Sequence, residues 1–472
     1  MKNRVAGVLL HPTSLPNKDQ PETGLGCLDK SAWKFVDWMH QAGLSVWQTL
    51  PLTEPHADLS PYSSVSAFAM NPALLPTGWR NSYDEIEFQE FIKSAPFWLH
   101  DYALFMVIKG LEKDRCWVDW PHDFKFRNPQ ALAEFSQQHE AKLTLLKQQQ
   151  YVLFKLWHEL KEYANKKGIQ LFGDMPIFVA YDSVDVWMNP HEFKLDKNLQ
   201  PTVVTGVPPD YFSETGQRWG NPHYDWAAMQ SNGFAWWKSR VAETLAQFDL
   251  LRIDHFRGLQ AAWEIDAAEE TAINGRWVEV PGEQLLQVLQ HEFPNLPIIA
   301  EDLGVITPEV VALKESFNFP GMSVLQFGFN GLPDNPHSLY EQVQNSVVYT
   351  GTHDNDTSLG WFNSLNEETQ HWVLSEIEKH VGSLEKTLNL PKNYQAMPWP
   401  LIIAACNASA QMVIVPMQDL LALDGKHRMN VPGVGEGNWR WQFVWEMLPS
   451  NLADTIHTIV SNTERLNKTG CN

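Results

Sequence analysis

Cysteine is scarce: four in 472 residues, at Cys27, Cys116, Cys406 and Cys471. None forms a CxxC pair and none stands at zinc spacing from a histidine. Neither a disulfide framework nor a structural metal site is therefore expected. Basic residues are also few, with 35 Lys and Arg against 56 Asp and Glu and a net charge of −21. A surface of that sign repels phosphate, which argues against nucleic acid and against an anionic membrane as partners. No apolar run reaches the ~18 residues that a membrane span needs. The run Val5-Ala6-Gly7-Val8-Leu9-Leu10 is too short for a signal h-region and lacks a small-residue cleavage site. The expected compartment is the cytoplasm. Internal repeats, low-complexity segments and flexible linkers are absent as well. Tryptophan, in contrast, is plentiful, at 21 against 11 Tyr, which inverts the usual order.

Short, β-rich apolar runs recur at residues 5–10, 45–51, 169–179, 250–254, 297–302, 323–329, 346–354 and 412–421. Several are near-continuous rather than alternating, as parallel strands covered on both faces should be. Helical signals lie between them. Phe154, Trp157, Leu160 and Tyr163 fall on one face at helical spacing over residues 151–164. Thr307-Pro308-Glu309 reads as an N-cap, a proline at the first helical position and an acid in the first turn, and Ser31 reads as the cap of a helix over 31–42. Eight strands alternating with helices predict an α/β fold, a (β/α)8 TIM barrel, with a doubly wound open sheet as the alternative. Two intervals are too long for a single helix. Residues 53–150, after the second strand, are mainly helical; residues 180–248, after the third, are rich in Pro, Gly, Trp and Asn. Both read as insertions, one helical and one loop-rich, on a single catalytic barrel spanning 1–472.

Acidic residues end several of these strands: Asp254 in Arg252-Ile253-Asp254-His255, Glu301 in Ala300-Glu301-Asp302, and Asp354 in Thr352-His353-Asp354-Asn355. In a barrel the C-terminal strand ends converge on one face, so residues far apart in sequence can share a pocket. Each acid alone could be a helix cap. Three together fit carboxylates held at split pKa values, one protonated to donate and one ionised to attack or to activate water, as glycoside cleavage requires. Arg252 should hold Asp254 ionised, and the like charge of Asp302 should raise Glu301. The His353-Asp354-Asn355-Asp356 stretch has neither calcium-loop nor paired-histidine spacing, and Gly433, Gly435 and Gly437 follow a proline rather than a strand. No metal and no cofactor are expected. Aromatic residues are the second signal, because sugars offer C–H faces to flat rings. Tyr211, Phe212 and Trp219 sit in the second insertion, Tyr62 follows the second strand, and Trp439 and Trp441 lie near the C-terminus. Trp219, in a stretch without periodicity, is the best candidate for a sugar platform.

The chain resembles the amylomaltases, the 4-α-glucanotransferases or disproportionating enzymes of the α-amylase clan. The motifs are His11-Pro12-Thr13-Ser14-Leu15-Pro16, Ser60-Pro61-Tyr62, Gly173-Asp174-Met175-Pro176, Gly206-Val207-Pro208-Pro209-Asp210-Tyr211-Phe212-Ser213, Arg252-Ile253-Asp254-His255-Phe256-Arg257-Gly258, Ala300-Glu301-Asp302-Leu303-Gly304 and Gly351-Thr352-His353-Asp354-Asn355-Asp356-Thr357. The resemblance implies a TIM barrel without a C-terminal β-sandwich. It implies transfer of α-1,4-glucan segments with retention, with α-glucan hydrolysis as the alternative. It implies Asp254 as nucleophile, Glu301 as acid/base and Asp354 as transition-state stabiliser. Arg252, His353, Asp174, Tyr62 and Asn355 would contact or shape the cleavage point, and Tyr211, Phe212, Gln217 and Trp219 the acceptor side. The implied partners are α-1,4-glucans and maltooligosaccharides as donor and acceptor, with the chain a monomer or weak homo-oligomer.

Overall fold

A computed structural model describes residues 4–17, 24–209, 213–382 and 392–467. The strands among them are β1 (Val5–Leu9), β2 (Val46–Gln48), β3 (Gln170–Pro176), β4 (Val203–Val207), β5 (Gln217–Pro222), β6 (Leu250–Asp254), β7 (Ala261–Asp266), β8 (Gly275–Glu279), β9 (Ile298–Ala300), β10 (Gly321–Val324), β11 (Ser346–Tyr349) and β12 (Met412–Pro416). One sheet runs β10-β11-β12-β1-β2-β3-β6-β9 with every pairing parallel. Its two end strands meet again. The Ala300 N–H donates to the Pro320 carbonyl at 2.8 Å, and the Met322 N–H to the Asp302 carboxylate at 2.7 Å. The sheet is nearly closed on itself, a (β/α)8 barrel, whereas an open doubly wound sheet would keep its edges apart. Each of the eight apolar runs holds one barrel strand. The run at 323–329 is displaced: its strand starts at Gly321, and Leu325–Gly328 winds into a 3-10 turn.

Alternation divides each barrel strand between the lumen and the surrounding helices. Phe172, Leu250, Ile299, Val347 and Tyr349 pack together in the lumen. Leu171, Val348 and Val413 pack outward in one helix-facing cluster, and Leu251 and Ile253 in another. Gly7 lets β1 and β2 approach: a Cβ there would stand 2.4 Å from the Val46 carbonyl oxygen. The same period of two carries polar groups up the lumen face. Arg252 and then Asp254 follow Leu250, Asp174 follows Phe172, and Glu301 follows Ile299. The apolar plug thus becomes the floor of a polar site at the C-terminal strand ends.

Between β2 and β3 stand the helices Glu85–Lys93, Leu99–Leu111, Pro129–Gln138 and Glu140–Lys166. The last contains the expected 151–164 helix and buries Trp157 and Leu160. Helix Lys30–Gln41 is capped two residues earlier than expected. Asp29, not Ser31, is the N-cap, and its carboxylate accepts the Ser31 N–H at 2.7 Å. Thr307 and Pro308 take the expected cap and first-turn places. A second sheet, antiparallel in the order β5-β4-β7-β8, stands beside the barrel and was not expected from the sequence. Its strand β5 reads Gln-Arg-Trp-Gly-Asn-Pro and is largely exposed, so no apolar alternation marks it. Beyond Pro416 the described residues contain no strand, and they close with the helix Leu452–Asn462. Cys116 and Cys406 are free thiols, the Cys27 sulfur lies 3.7 Å from Asn17 Nδ2, and Cys471 lies outside the described residues. No described helix is long and apolar enough to cross a membrane.

Candidate active site

The parallel register builds the site. It sets Asp174 of β3 opposite Arg252 of β6, and Ile253 of β6 opposite Ala300 of β9. The next residues, Asp254 and Glu301, therefore leave neighbouring strands at the same level. Arg252 lies under them, buried between two carboxylates. Its Nε donates to Asp174 Oδ1 at 2.8 Å and its Nη2 to Asp174 Oδ2 at 2.6 Å, a two-point pairing that fixes the guanidinium plane. Nη2 also donates to Asp254 Oδ1 at 2.9 Å and to the Tyr62 hydroxyl at 3.0 Å. Tyr62 in turn donates to Asp174 Oδ2 at 2.6 Å. Asp174 is sealed from solvent, whereas the Asp254 side chain keeps 30% of its surface open to the cleft.

Glu301 is held by backbone. Its Oε2 accepts the His255 N–H at 2.7 Å and its Oε1 the Leu303 N–H at 3.0 Å. Burial pushes its carboxyl up to about 7, against the pull of Arg252 and those two amides. Asp302 does raise it, as expected, but as the smallest cause, and is itself paired with Lys314 at 2.6 Å. Asp254 departs from expectation. Burial drives its carboxyl upward, with Asp174, Glu301 and Asp354 adding to the rise, and Arg252 opposes the shift without reversing it. Two such carboxyls on adjacent strand ends resist ionising together.

The third acid, Asp354, sits on the turn after β11. Its Oδ1 accepts from Asn430 Nδ2 at 2.6 Å, its Oδ2 lies 3.4 Å from His353 Nε2, and its carbonyl accepts from Arg428 at 2.9 Å. The Tyr62 and His353 rings stack with centroids 5.2 Å apart and planes 13° from parallel, and Trp439 leans on both at 5.9 Å. Burial lowers the His353 imidazole below its ordinary value. Asn355 is engaged within its own turn. Its Oδ1 accepts from the Thr352 N–H and hydroxyl, both at 2.8 Å, and so closes the turn that carries Asp354.

On the far rim stands β5. Trp219, 38% exposed, donates through Nε1 to Gln217 Oε1 at 3.1 Å. The tryptophan expected in an irregular stretch thus lies on a strand. Its ring meets His255 edge to face at 4.8 Å and 87°. His255 follows Asp254 in a left-handed conformation (φ 56°), and burial pushes its imidazole down to about 4. Tyr211 and Phe212 lie outside the described residues. Among the described residues no group of three or more His, Cys, Asp or Glu stands in a metal-binding arrangement. Sequence reasoning brought together Asp174, Arg252, Asp254, Glu301, His353, Asp354 and Tyr62. It missed Asn430 and Arg428, whose loop has no periodicity to mark it, and His255, which was visible beside Asp254 but given no part.

A family model described as 4-alpha-glucanotransferase matches residues 10–80 and 77–446. A 4-alpha-glucanotransferase of Thermus thermophilus is 40% identical over 98% of this chain and 99% of its own length. One of Synechocystis is 40% identical over 94% of each chain. Among solved structures, an amylomaltase from Streptococcus agalactiae in complex with acarbose superposes with a TM-score of 0.90 at 33% identity, over 98% of this chain and 100% of that one. With a motif series that spans the barrel's strand ends and relatives matched along nearly their whole length, the chain belongs to the 4-α-glucanotransferase family.

Proposed function

We propose that this 4-α-glucanotransferase acts by double displacement, with Asp254 as nucleophile, Glu301 as acid/base and Asp354 as stabiliser of the sugar in the transition state. The observation that carries the reading is the asymmetric placing of one cation. Arg252 bonds Asp254 directly and reaches no oxygen of Glu301. If the pair holds one proton, the guanidinium puts the charge on Asp254 and leaves the proton on Glu301. In the first step an Asp254 oxygen bonds the anomeric carbon while the C–O bond to the leaving glucan breaks. The Glu301 proton goes to that glycosidic oxygen, and the non-reducing product stays esterified to Asp254. In the second step Glu301, now a carboxylate, takes the proton from the 4-hydroxyl of an acceptor glucan or glucose. That oxygen attacks the anomeric carbon and Asp254 leaves. Asp354 would bind hydroxyls of the reacting sugar, with His353, Tyr62, Asp174 and Arg252 shaping its walls. Asn355 would act through the turn, and Gln217 and Trp219, with Tyr211 and Phe212, would receive the acceptor.

The donors and acceptors in this reading are α-1,4-glucans and maltooligosaccharides, acted on in the cytoplasm by a monomer or weak homo-oligomer. The chain would be one catalytic unit, with 53–150 and 180–248 as insertions framing the cleft. Incubation with maltotriose tests the reading. Transfer yields glucose plus a ladder of longer chains; an α-glucan hydrolase built on the same carboxylates would yield glucose and maltose with no ladder. Glu301→Gln should lose this transfer while retaining the fold by circular dichroism.

A further inference from the structure

The turn that begins at Glu301 is fastened unevenly. At its start the Glu301 carbonyl accepts the Phe256 N–H at 3.1 Å, and its carboxylate takes the two amides described above. At its far end stand Gly304, in a left-handed conformation (φ 86°), and Val305, whose side chain is exposed. There the carbonyl of Val305 accepts a short hydrogen bond from Nη1 of Arg257. Arg257 is itself unusual. It is 6% exposed, its Nε is buried without a hydrogen-bond partner, and its Nη1 bonds a neutral carbonyl rather than a carboxylate. Burying a guanidinium without a counter-charge is unfavourable. What offsets that here is the indole of Trp277 on β8, whose ring centroid lies 3.6 Å from the guanidinium carbon. Trp277 pairs across the strands with Trp263 at 5.2 Å, so the second sheet supplies a fixed plate on which Arg257 rests.

We infer that Arg257 is a positioning residue for the transfer reaction: clamped on Trp277, it holds the 301–305 turn so that the Glu301 carboxyl meets the leaving glycosidic oxygen. The inference rests on Glu301 being the acid/base. Arg257 bonds the Val305 carbonyl and stacks on Trp277, and its guanidinium makes no hydrogen bond to Asp254, Glu301 or Asp354. Its plate, Trp277 on β8, belongs to the same sheet as the acceptor platform on β5, with β4 and β7 between them. The sheet that was unreadable in the sequence thus acquires a role: it braces the proton donor from behind.

The test uses two donors in the full chain. With maltotriose, cleavage needs a proton on a poor leaving group. With a 4-nitrophenyl α-maltooligoside, the phenolate leaves without one, so a displaced acid matters little. Arg257→Ala should lower kcat on maltotriose by ~10–100-fold, the scale set by an ångström of misplacement. Nitrophenol release in the first step should stay within ~3-fold, and KM for maltotriose should change little. Trp277→Ala, at a partly exposed ring, should show the same selective loss at ~2–5-fold and decides the matter if Arg257→Ala does not fold. Equal losses on both donors, or none on maltotriose, in the folded variants would overturn the positioning role. Glu301→Gln run alongside separates the two ideas. If it too fails to discriminate between donors, the acid/base assignment has fallen; if it discriminates and the Arg257 and Trp277 variants do not, only the clamp has.

Discussion

The floor and the rim of the cleft are built on opposite plans. On the floor, Arg252, Asp174, Tyr62 and Asp254 satisfy one another through bonds of 2.6–3.0 Å, and the two residues at the centre are sealed from solvent. On the rim, Gln217 and Trp219 bond each other on an exposed strand. The floor is assembled before substrate arrives, which suits groups that must act in the transition state. The rim leaves the Trp219 ring open, which would suit a group that binds whichever glucan chain presents itself. Substitutions on the floor should therefore remove chemistry or stability, and those on the rim should change only affinity.

Asp254→Asn gives the largest expected effect. The amide keeps the shape but cannot form the glycosyl ester, so transfer from maltotriose should fall by at least ~10⁴-fold, the scale seen when a nucleophile is removed. The melting temperature should hold or rise, since one carboxyl leaves a crowded acidic site. Residual transfer near the parent rate would move the nucleophile elsewhere and dissolve the contrast with the rim.

Arg252→Ala comes next. It leaves Asp174 buried without its cation, and removal of one member of a buried pair costs about 3–5 kcal/mol. Urea unfolding should register that loss together with a collapse in turnover. Arg252→Lys should recover little of either, because an ammonium cannot span both Asp174 oxygens and still reach Asp254. A stable, active Arg252→Ala would mean that the floor is not pre-assembled by this residue.

The pH profile is a milder probe of the same floor. In the proposed double displacement Glu301, raised by burial to about 7, carries its proton for the first step. The protonated fraction falls as pH rises through that value, so kcat/KM on maltotriose should decline by about tenfold per unit on the alkaline side. A limb that persists in Glu301→Gln, measured on residual activity, would assign it to another group. An activated aryl donor should show a weaker limb in its first step.

Much of this is legible in the sequence. The barrel strands announce themselves because they are buried on both faces, and an acid at the end of such a run has only the barrel mouth to face. The electrostatics were less readable. Asp302 looks like the natural perturber of Glu301, yet alternation turns it to the other side of the strand, where Lys314 neutralises it. Burial, which dominates both carboxyls, leaves no local trace in sequence. Asn430 was hidden for another reason: it reaches Asp354 across 76 positions from a loop with no pattern. Strand β5, exposed and carrying both Gly and Pro, offered nothing that periodicity could detect.

Trp219→Ala should give the smallest effect, and it is the one that tests the rim. The ring is 38% exposed, so its removal should leave the melting temperature almost unchanged. Loss of one stacking surface is worth about 0.5–1.5 kcal/mol, which predicts a rise of ~2–10-fold in KM for a glucose or maltose acceptor. The first step, read as nitrophenol release, should keep its rate. The edge contact with His255 is a route by which the rim could reach the chemistry, because the His255 N–H also holds Glu301. If Trp219→Ala slows the first step as much as it weakens the acceptor, that contact transmits, and floor and rim are one device. If only KM moves, the contact is packing, and the protein has separated the groups that break the bond from those that choose what receives it.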